Sequence, residues 1–339
     1  MIILRLAAAF ILLGSSRGQV HRDAKVAKYE EFPHQVQIEV TFNNKNRGMG
    51  TGTLILDQWD EQWVLTAAHN FQTHPDHGRV VEAEVLIPSR GLRAEAGAWL
   101  WDTTRYNLFK PISQVYDYDE LDLLLVKLKT NLMDKDGNLV RVQAARLPEE
   151  NNRIEDYEEV RFAGYGLNDR GLEDTLLEGR SYKLPGFLSN HLQHELDTFN
   201  EEDHTKENAE KIYRRFDKEI GDEEKRGKNK HFEESSRHIL TGVRKPADQA
   251  SFSGTGDSGC GLFKLGDATV HGVLSAGDMT EEGEQQFTRP IIWVKVASEL
   301  KWIKAKMNRH SDKGRRQVAK EGNSLAVVVL AAVLCAYFL

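Results

Sequence analysis

The chain has 339 residues, of which 40% are hydrophobic and 29% are charged, and its formal net charge is -7. This length suits one large domain or two fused subdomains, and the apolar content is sufficient for a sizeable core. Proteins that bind nucleic acid usually carry a basic surface, so a modest negative charge predicts no nucleic-acid partner.

The N-terminus has the pattern of a secretory signal peptide. Arg5 precedes an apolar stretch over residues 6–13, and small residues follow up to position 18. We therefore predict a signal peptide over residues 1–18 and entry into the secretory pathway. The competing interpretation is an N-terminal membrane anchor, but the apolar stretch is too short to favour it.

The body of the chain contains a series of short apolar segments separated by turn residues. Period-two alternation and β-branched residues predict that these segments are strands. They are HQVQIEVTF (34–42), GTLIL (52–56), WVLTA (63–67), EAEVLIP (82–88), DLLLVKL (122–128), EVRFAGYG (159–166), TVHGVLSAG (269–277) and PIIWVKV (290–296). Many short strands along one chain predict an all-β barrel or sandwich, and SELKWIKAKM (298–307) predicts a closing helix.

A highly charged stretch over about residues 190–237 interrupts this series. Apolar residues recur within it at helical spacing, which predicts an amphipathic helix: Ala209, Ile212, Tyr213, Phe216 and Ile220. The helix either packs on its own barrel, which is the simpler interpretation, or forms an arm that binds an activator or inhibitor.

The C-terminus comprises a polar linker over residues 308–324 and a hydrophobic tail over residues 325–339. A helix of this length reaches ~22 Å, less than the ~30 Å of a hydrocarbon core. We predict membrane attachment, either through a signal for a GPI anchor or through a short anchor. Basic residues before the tail leave a third interpretation open, a tail-anchored protein facing the cytosol, which requires discarding the N-terminal signal.

Three segments carry residues suited to nucleophilic catalysis. WVLTAAHN (63–70) contains His69, DELDLLLVKL (119–128) contains Asp122, and GTGDSGC (254–260) contains Ser258. A serine hydroxyl becomes nucleophilic when an imidazole accepts its proton, and a buried carboxylate must orient that imidazole.

These segments, together with others in the same order, resemble the chymotrypsin/trypsin family of serine proteases. The further matches are FPHQVQI (32–38), TGTLI (51–55), RLP (146–148), AGYG (163–166), VLSAG (273–277), FTRP (287–290) and KWIKAKM (301–307). The resemblance implies two six-stranded antiparallel β-barrels over residues 19–307, with a C-terminal helix and with the charged helical insertion added.

The resemblance also implies a catalytic triad. Ser258 is the nucleophile, His69 is the general base and then the general acid, and Asp122 orients the imidazole. Asp117 and Asp119 are rivals for the carboxylate role, but only Asp122 is followed directly by the apolar LLLVKL strand.

Further site residues follow from the same resemblance. The backbone N–H groups of Gly256 and Ser258 form an oxyanion hole. Four residues border the substrate: Phe252, Ser275, Gly277 and Gln285. Because Phe252 stands at the base of the pocket where an aspartate selects Arg or Lys, a trypsin-like specificity is not expected.

The cysteines depart from the family pattern. The chain has two, Cys260 in the body and Cys335 in the tail. Paired family cysteines are lost at Gly50 and Asn70, and likewise near Gly254 and Arg146, so a disulfide-free version of the fold is predicted. Cys260 is interpreted as a buried packing residue; the alternative is a redox-sensitive or metal-binding thiol.

The N-terminus of the mature chain also departs from the family. In the family a freed Ile or Val amino group pairs with the aspartate before the serine, here Asp257, but no such start occurs near His21. Asp257 is therefore expected to have a raised pKa or another partner. Either a Lys, Arg or His replaces the amino group, or the site is zymogen-like.

Taken together, the sequence predicts a secreted serine endopeptidase, attached to the extracellular membrane surface, that acts on protein or peptide substrates through an acyl-enzyme. No cofactor or metal is expected, because the chain supplies every reacting group. The first alternative is a catalytically silent or zymogen-like binding or adhesion protein at the membrane. The second is a hydrolase of small esters with the same triad.

Overall fold

A computed structural model describes residues 25–110, 121–149, 152–166, 175–184, 237–242, 251, 253–276 and 291–311. Over these ranges the chain forms thirteen β-strands, three short 3-10 turns and one α-helix. The strands are β1 (Lys25–Val26), β2 (Gln35–Phe42), β3 (Arg47–Leu56), β4 (Gln62–Thr66), β5 (Val80–Ile87), β6 (Leu92–Trp101), β7 (Leu124–Leu128), β8 (Glu159–Gly164), β9 (Leu177–Lys183), β10 (His238–Gly242), β11 (Gly261–Lys264), β12 (Gly272–Ala276) and β13 (Ile291–Lys295). The 3-10 turns span Tyr29–Glu31, Ala68–Phe71 and Pro88–Arg90, and α1 is Val296–His310.

The first barrel is a closed antiparallel sheet in the order β2-β3-β4-β7-β6-β5, with β5 pairing back onto β2. Its interior is filled by alternate residues of the strands, as the period of two requires. In β2 these residues are Val36, Ile38, Val40 and Phe42, each of which is at most 2% exposed. The alternation read from the sequence therefore fixes which face of β2 forms the core.

The second barrel contains β8 to β13. Its strands run in the order β9-β10-β13-β12-β11-β8, and the pairing of β8 with β9 closes the sheet. The short strand β1 adds to the outside of β9 through Lys25 and Val26. The prediction of two six-stranded antiparallel barrels with a C-terminal helix is thus confirmed.

The two barrels share an apolar core. Ile55 and Trp63 from the first barrel and Phe263 and Val294 from the second are fully or almost fully buried in it. The inner face of α1 packs against the same core through Leu300, Ile303 and Met307. This contact holds the barrels in the relative position that the site between them requires.

Five of the described strands were not among the predicted segments: β1, β6, β9, β10 and β11. In β6, inward Leu92, Ala94 and Ala96 alternate with outward Arg93 and Glu95. Alanine and glutamate have low β propensity, so the pairing with neighbouring strands decides this conformation.

The predicted signal peptide, the charged insertion as far as residue 236, residues 312–324 of the linker and the hydrophobic tail lie outside the described residues, whereas residues 308–310, predicted as linker, belong to α1. The helix that is described is too short and too polar to cross a membrane. The domain boundaries given above stay predictions.

Candidate active site

His69 lies just after β4, in the 3-10 turn Ala68–Phe71. Ala67 and Ala68, which precede it, are fully buried. Their small side chains let the turn pack closely on the barrel, while the imidazole side chain stays 18% exposed. The ring is therefore held at the edge of the first barrel rather than inside it.

Asp122 lies two residues before β7, between the buried Leu121 and Leu123. Its carboxylate accepts three hydrogen bonds. His69 Nδ1 lies 2.8 Å from Asp122 Oδ2, and the His69 backbone N–H donates to Asp122 Oδ1 at 2.9 Å. Ser275, which lies at a register shift in β12, donates its hydroxyl to Asp122 Oδ2 at 2.7 Å. Three of the predicted site residues thus meet in one hydrogen-bonded group.

The environment of Asp122 favours its charged form. Burial alone would raise its pKa, but the His69 ring and the hydrogen bonds from His69 and Ser275 together lower the pKa below its ordinary value. A carboxylate that stays ionised beside Nδ1 requires that nitrogen to carry a proton. The tautomer with the proton on Nδ1 and none on Nε2 is therefore favoured.

Ser258 lies in a tight turn between Gly256 and Gly259. Gly256 has φ +92 and Gly259 has φ +90, a region that side chains rarely adopt. Within the described ranges, the backbone N–H groups of Gly256 and Ser258 donate no hydrogen bond to the rest of the chain.

The first barrel holds the main chain of this turn. The Ser258 carbonyl accepts from the Thr51 N–H at 3.0 Å and from Asn70 Nδ2 at 2.8 Å. The Gly256 carbonyl accepts from Thr51 Oγ1 at 2.8 Å. Thr51 is not among the predicted site residues, and its only signal in the sequence is a polar residue at the start of the apolar segment TGTLI.

The carboxylate of Asp257 is fully buried and lies against backbone donors. Its Oδ1 accepts from the Gly166 N–H at 2.9 Å, and its Oδ2 accepts from the Gly254 N–H at 2.7 Å. A Cβ atom on Gly164 would lie 2.1 Å from Oδ1. These two partners are main-chain groups, which a sequence does not identify. Replacement of the family's amino group by a Lys, Arg or His, and the alternative of a zymogen-like site, stay predictions.

Cys260 is fully buried among apolar residues of the second barrel, including Phe162 and Trp293. Burial, and to a lesser extent the charge of Asp257, raises the pKa of its thiol well above the usual range. These surroundings support the packing interpretation of Cys260.

The other predicted residues are distributed as follows. Gly256, Ser258 and Ser275 are described above, whereas Phe252, Gly277 and Gln285 lie outside the described residues. The specificity pocket stays a prediction.

Comparisons with known proteins agree with this architecture. A family model described as Trypsin matches residues 22–185. No curated protein matches the sequence. Among solved structures, HL collagenase is similar with a TM-score of 0.52, 17% identity, and coverage of 84% of this chain and 97% of that chain. A structure described as GrC has a TM-score of 0.51, 16% identity, and coverage of 84% and 98%. At this identity the structural likeness shows the fold alone.

Proposed function

We propose that this chain is a serine endopeptidase of the trypsin-like type, which its family-model match over residues 22–185 and its two-barrel fold support. The observation that carries the proposal is the geometry at Asp122. This buried carboxylate is fixed by three hydrogen bonds, two of them from His69. An ordinary surface ion pair would need neither the burial nor the three bonds.

In the proposed reaction, Ser258 Oγ attacks the carbonyl carbon of the scissile peptide bond and His69 Nε2 takes the hydroxyl proton. The tetrahedral intermediate collapses, the C–N bond breaks, and His69 returns the proton to the leaving amine. Water then attacks the acyl-enzyme ester, His69 accepts a proton from it, and the acid product and Ser258 are released. Asp122 stabilises the imidazolium form of His69 in both acylation and deacylation.

The developing oxyanion is bound by the N–H groups of Gly256 and Ser258. Each such donor typically stabilises the transition state by ~3 kcal/mol. The positive φ of Gly256 accounts for glycine at this position, because L side chains rarely adopt that conformation.

The protease fold implies protein or peptide substrates. Extended substrates pair with exposed backbone groups, so we propose that residues 275–277 at the end of β12 form one wall of the cleft. The proposal also includes secretion through residues 1–18, attachment to the extracellular membrane surface through residues 325–339, and binding of an activator or inhibitor by residues 190–237.

A fluorophosphonate probe tests the proposal on the full chain. We expect rapid covalent labelling of Ser258, detected by mass spectrometry, and loss of labelling in Ser258→Ala and His69→Ala. Cleavage of a peptide library should accompany it. Labelling with hydrolysis of small esters only would favour the ester hydrolase, and a folded but unlabelled protein would favour the catalytically silent binding protein.

A further inference from the structure

Gly50 and Asn70 stand where the family resemblance implies a disulfide, and they face each other in the structure. A Cβ atom placed on Gly50 would lie 2.5 Å from Asn70 Nδ2 and 2.7 Å from Asn70 Cγ. The Asn70 side chain therefore occupies the space between the two backbones. The absence of a side chain at Gly50 is what makes room for it.

Asn70 uses that position to hold the nucleophile. Its side chain is 95% buried, and Nδ2 donates to the Ser258 carbonyl at 2.8 Å and to Thr66 Oγ1 at 3.1 Å. Asn70 directly follows His69 in the chain. One residue thus connects the turn that carries the imidazole with the turn that carries the serine.

Two threonines complete the network. Thr66 Oγ1 donates to the Thr51 carbonyl at 2.8 Å, and Thr51 Oγ1 donates to the Gly256 carbonyl at 2.8 Å while accepting from the Tyr165 N–H at 2.9 Å. Both threonines are fully buried. Hydrogen bonds in such surroundings are strong and costly to break.

From these contacts we infer that Thr51, Thr66 and Asn70 form a hydrogen-bonded clamp that replaces the missing disulfide and positions the oxyanion donors. The clamped carbonyls of Gly256 and Ser258 lie on either side of the peptide unit that carries the Ser258 N–H. Because both of these carbonyls are hydrogen-bonded, rotation of the peptide unit between them is restricted. The inference rests on the proposed function, and the three are positioning residues that do not touch the substrate.

The first test removes the donor without changing the size of the side chain. Asn70→Asp replaces the amide with oxygen atoms that face the Ser258 carbonyl. Because small misplacements of a reacting group cost up to about 100-fold in rate, we expect fluorophosphonate labelling of the full chain to slow by about 10- to 100-fold. Circular dichroism monitors folding.

The second test restores the connection covalently. Gly50→Cys combined with Asn70→Cys places two thiols at facing positions, and oxidised glutathione closes the disulfide by thiol exchange. We expect the oxidised form to be labelled at nearly the wild-type rate, and the reduced form to be at least about 10-fold slower. The wild type should be insensitive to dithiothreitol. Equal rates for the two redox forms would overturn the clamp, even if Asn70→Asp does not fold.

Thr51→Val and Thr241→Val separate positioning from general stability. Thr241 also has a buried hydroxyl, which accepts from Trp293 Nε1 at 2.9 Å within the second barrel. We expect both variants to lower the melting temperature but only Thr51→Val to slow labelling. Equal slowing of labelling in both variants would show that the clamp contributes to stability only and does not position the oxyanion donors.

Hydrogen exchange distinguishes failure of the clamp from failure of the endopeptidase proposal. If the wild type is never labelled, the proposed function fails. The clamp is then decided by exchange across residues 254–260, which should be faster in Asn70→Asp than in wild type and unchanged in Thr241→Val. Unchanged exchange in Asn70→Asp would exclude the clamp.

Discussion

At the scale of single residues, the most informative feature is the burial of Asp122. A carboxylate that is 2% exposed would normally be unfavourable, yet three hydrogen bonds and the His69 ring lower its pKa. The charge is therefore maintained where it can fix the imidazole tautomer. Ser275 contributes one of the bonds but adds no charge.

Asp122→Asn is expected to lower the rate constant for peptide hydrolysis by about 10⁴-fold, because an amide favours the wrong tautomer of His69. Ser275→Ala, which removes one hydrogen bond to the same carboxylate and retains its charge, should cost less than about 10-fold. Steady-state kinetics of both variants provide the measurement. Equal losses would show that the Asp122 charge has no special role.

At the scale of elements, the turn between Gly256 and Gly259 shows how closely the second barrel approaches the first. A Cβ atom on Gly259 would lie 2.2 Å from Thr66 Oγ1 and 2.3 Å from the Thr51 carbonyl oxygen. The turn therefore requires glycine for two reasons, its positive φ and this contact between barrels.

Gly259→Ala should lower the free energy of unfolding by about 3 kcal/mol or more, since strain and a backbone clash add. Gly266→Ala is the matched control. Gly266 also has a positive φ, +73, but no atom lies within 4 Å of its Cβ position, so we expect only about 1–2 kcal/mol. Urea denaturation measures both, and similar losses would contradict the clash.

At the scale of the whole molecule, the contact between the barrels contains a buried histidine. His34 is 2% exposed, its ring centroid lies 4.4 Å from that of Phe263, and neither of its ring nitrogens has a hydrogen-bond partner among the described residues. Burial lowers the pKa of His34 to about 4. His271 has a pKa lowered to about 4 as well, because burial, together with Lys264, outweighs the carboxylates of Asp267 and Glu158.

The free energy of unfolding is therefore expected to decrease as the pH is lowered. A buried neutral histidine with a lowered pKa makes its full contribution to the free energy of unfolding above the unfolded pKa of 6.5. This contribution is lost as the pH falls towards the folded pKa of about 4. Each group contributes on the order of 3 kcal/mol. His34→Phe should remove part of the loss between about pH 7 and 4 in urea titrations, leaving the part due to His271 and to His74 and His238, whose pKa values are also lowered by burial. An unchanged pH profile would show that His34 does not titrate in this way.

The C-terminal helix is tied to the first barrel by Arg105. Its guanidinium forms a two-pronged pair with Glu299 of α1, at 3.1 and 2.7 Å, and also contacts Asp102 at 2.8 Å. Glu299 is 4% exposed. The loop that precedes Asp122 is thereby connected to the helix through a buried ion pair.

Arg105→Met should destabilise the protein by about 3 kcal/mol, because it leaves the buried Glu299 carboxylate without its partner. Arg105→Met combined with Glu299→Met should recover most of this loss, since the pair is then replaced by apolar contacts. Thermal melts of the two variants decide the matter. A double variant that is no more stable than Arg105→Met would exclude a direct coupling.

Much of the fold was predictable because its determinants are local. The alternation of Val36, Ile38, Val40 and Phe42 identifies the core face of β2 without reference to any other strand. The chain order of the His69, Asp122 and Ser258 segments likewise indicated the family. Strand β6 was missed, because its alanines and charged residues become a strand only when paired with β5 and β7.

By itself, the sequence determined that the chain is built from short strands, because hydrophobic periodicity is a property of neighbouring residues. The two-barrel architecture and the candidate triad followed from the resemblance of its ordered motifs to the chymotrypsin/trypsin family. Only the tertiary structure decided what surrounds those residues. Asp257 is approached by backbone N–H groups of Gly166 and Gly254, and Asn70 reaches the Ser258 carbonyl across 188 positions of the chain. Main-chain donors carry no residue signature, and contacts between distant segments depend on how the barrels close, so neither can be obtained from local patterns.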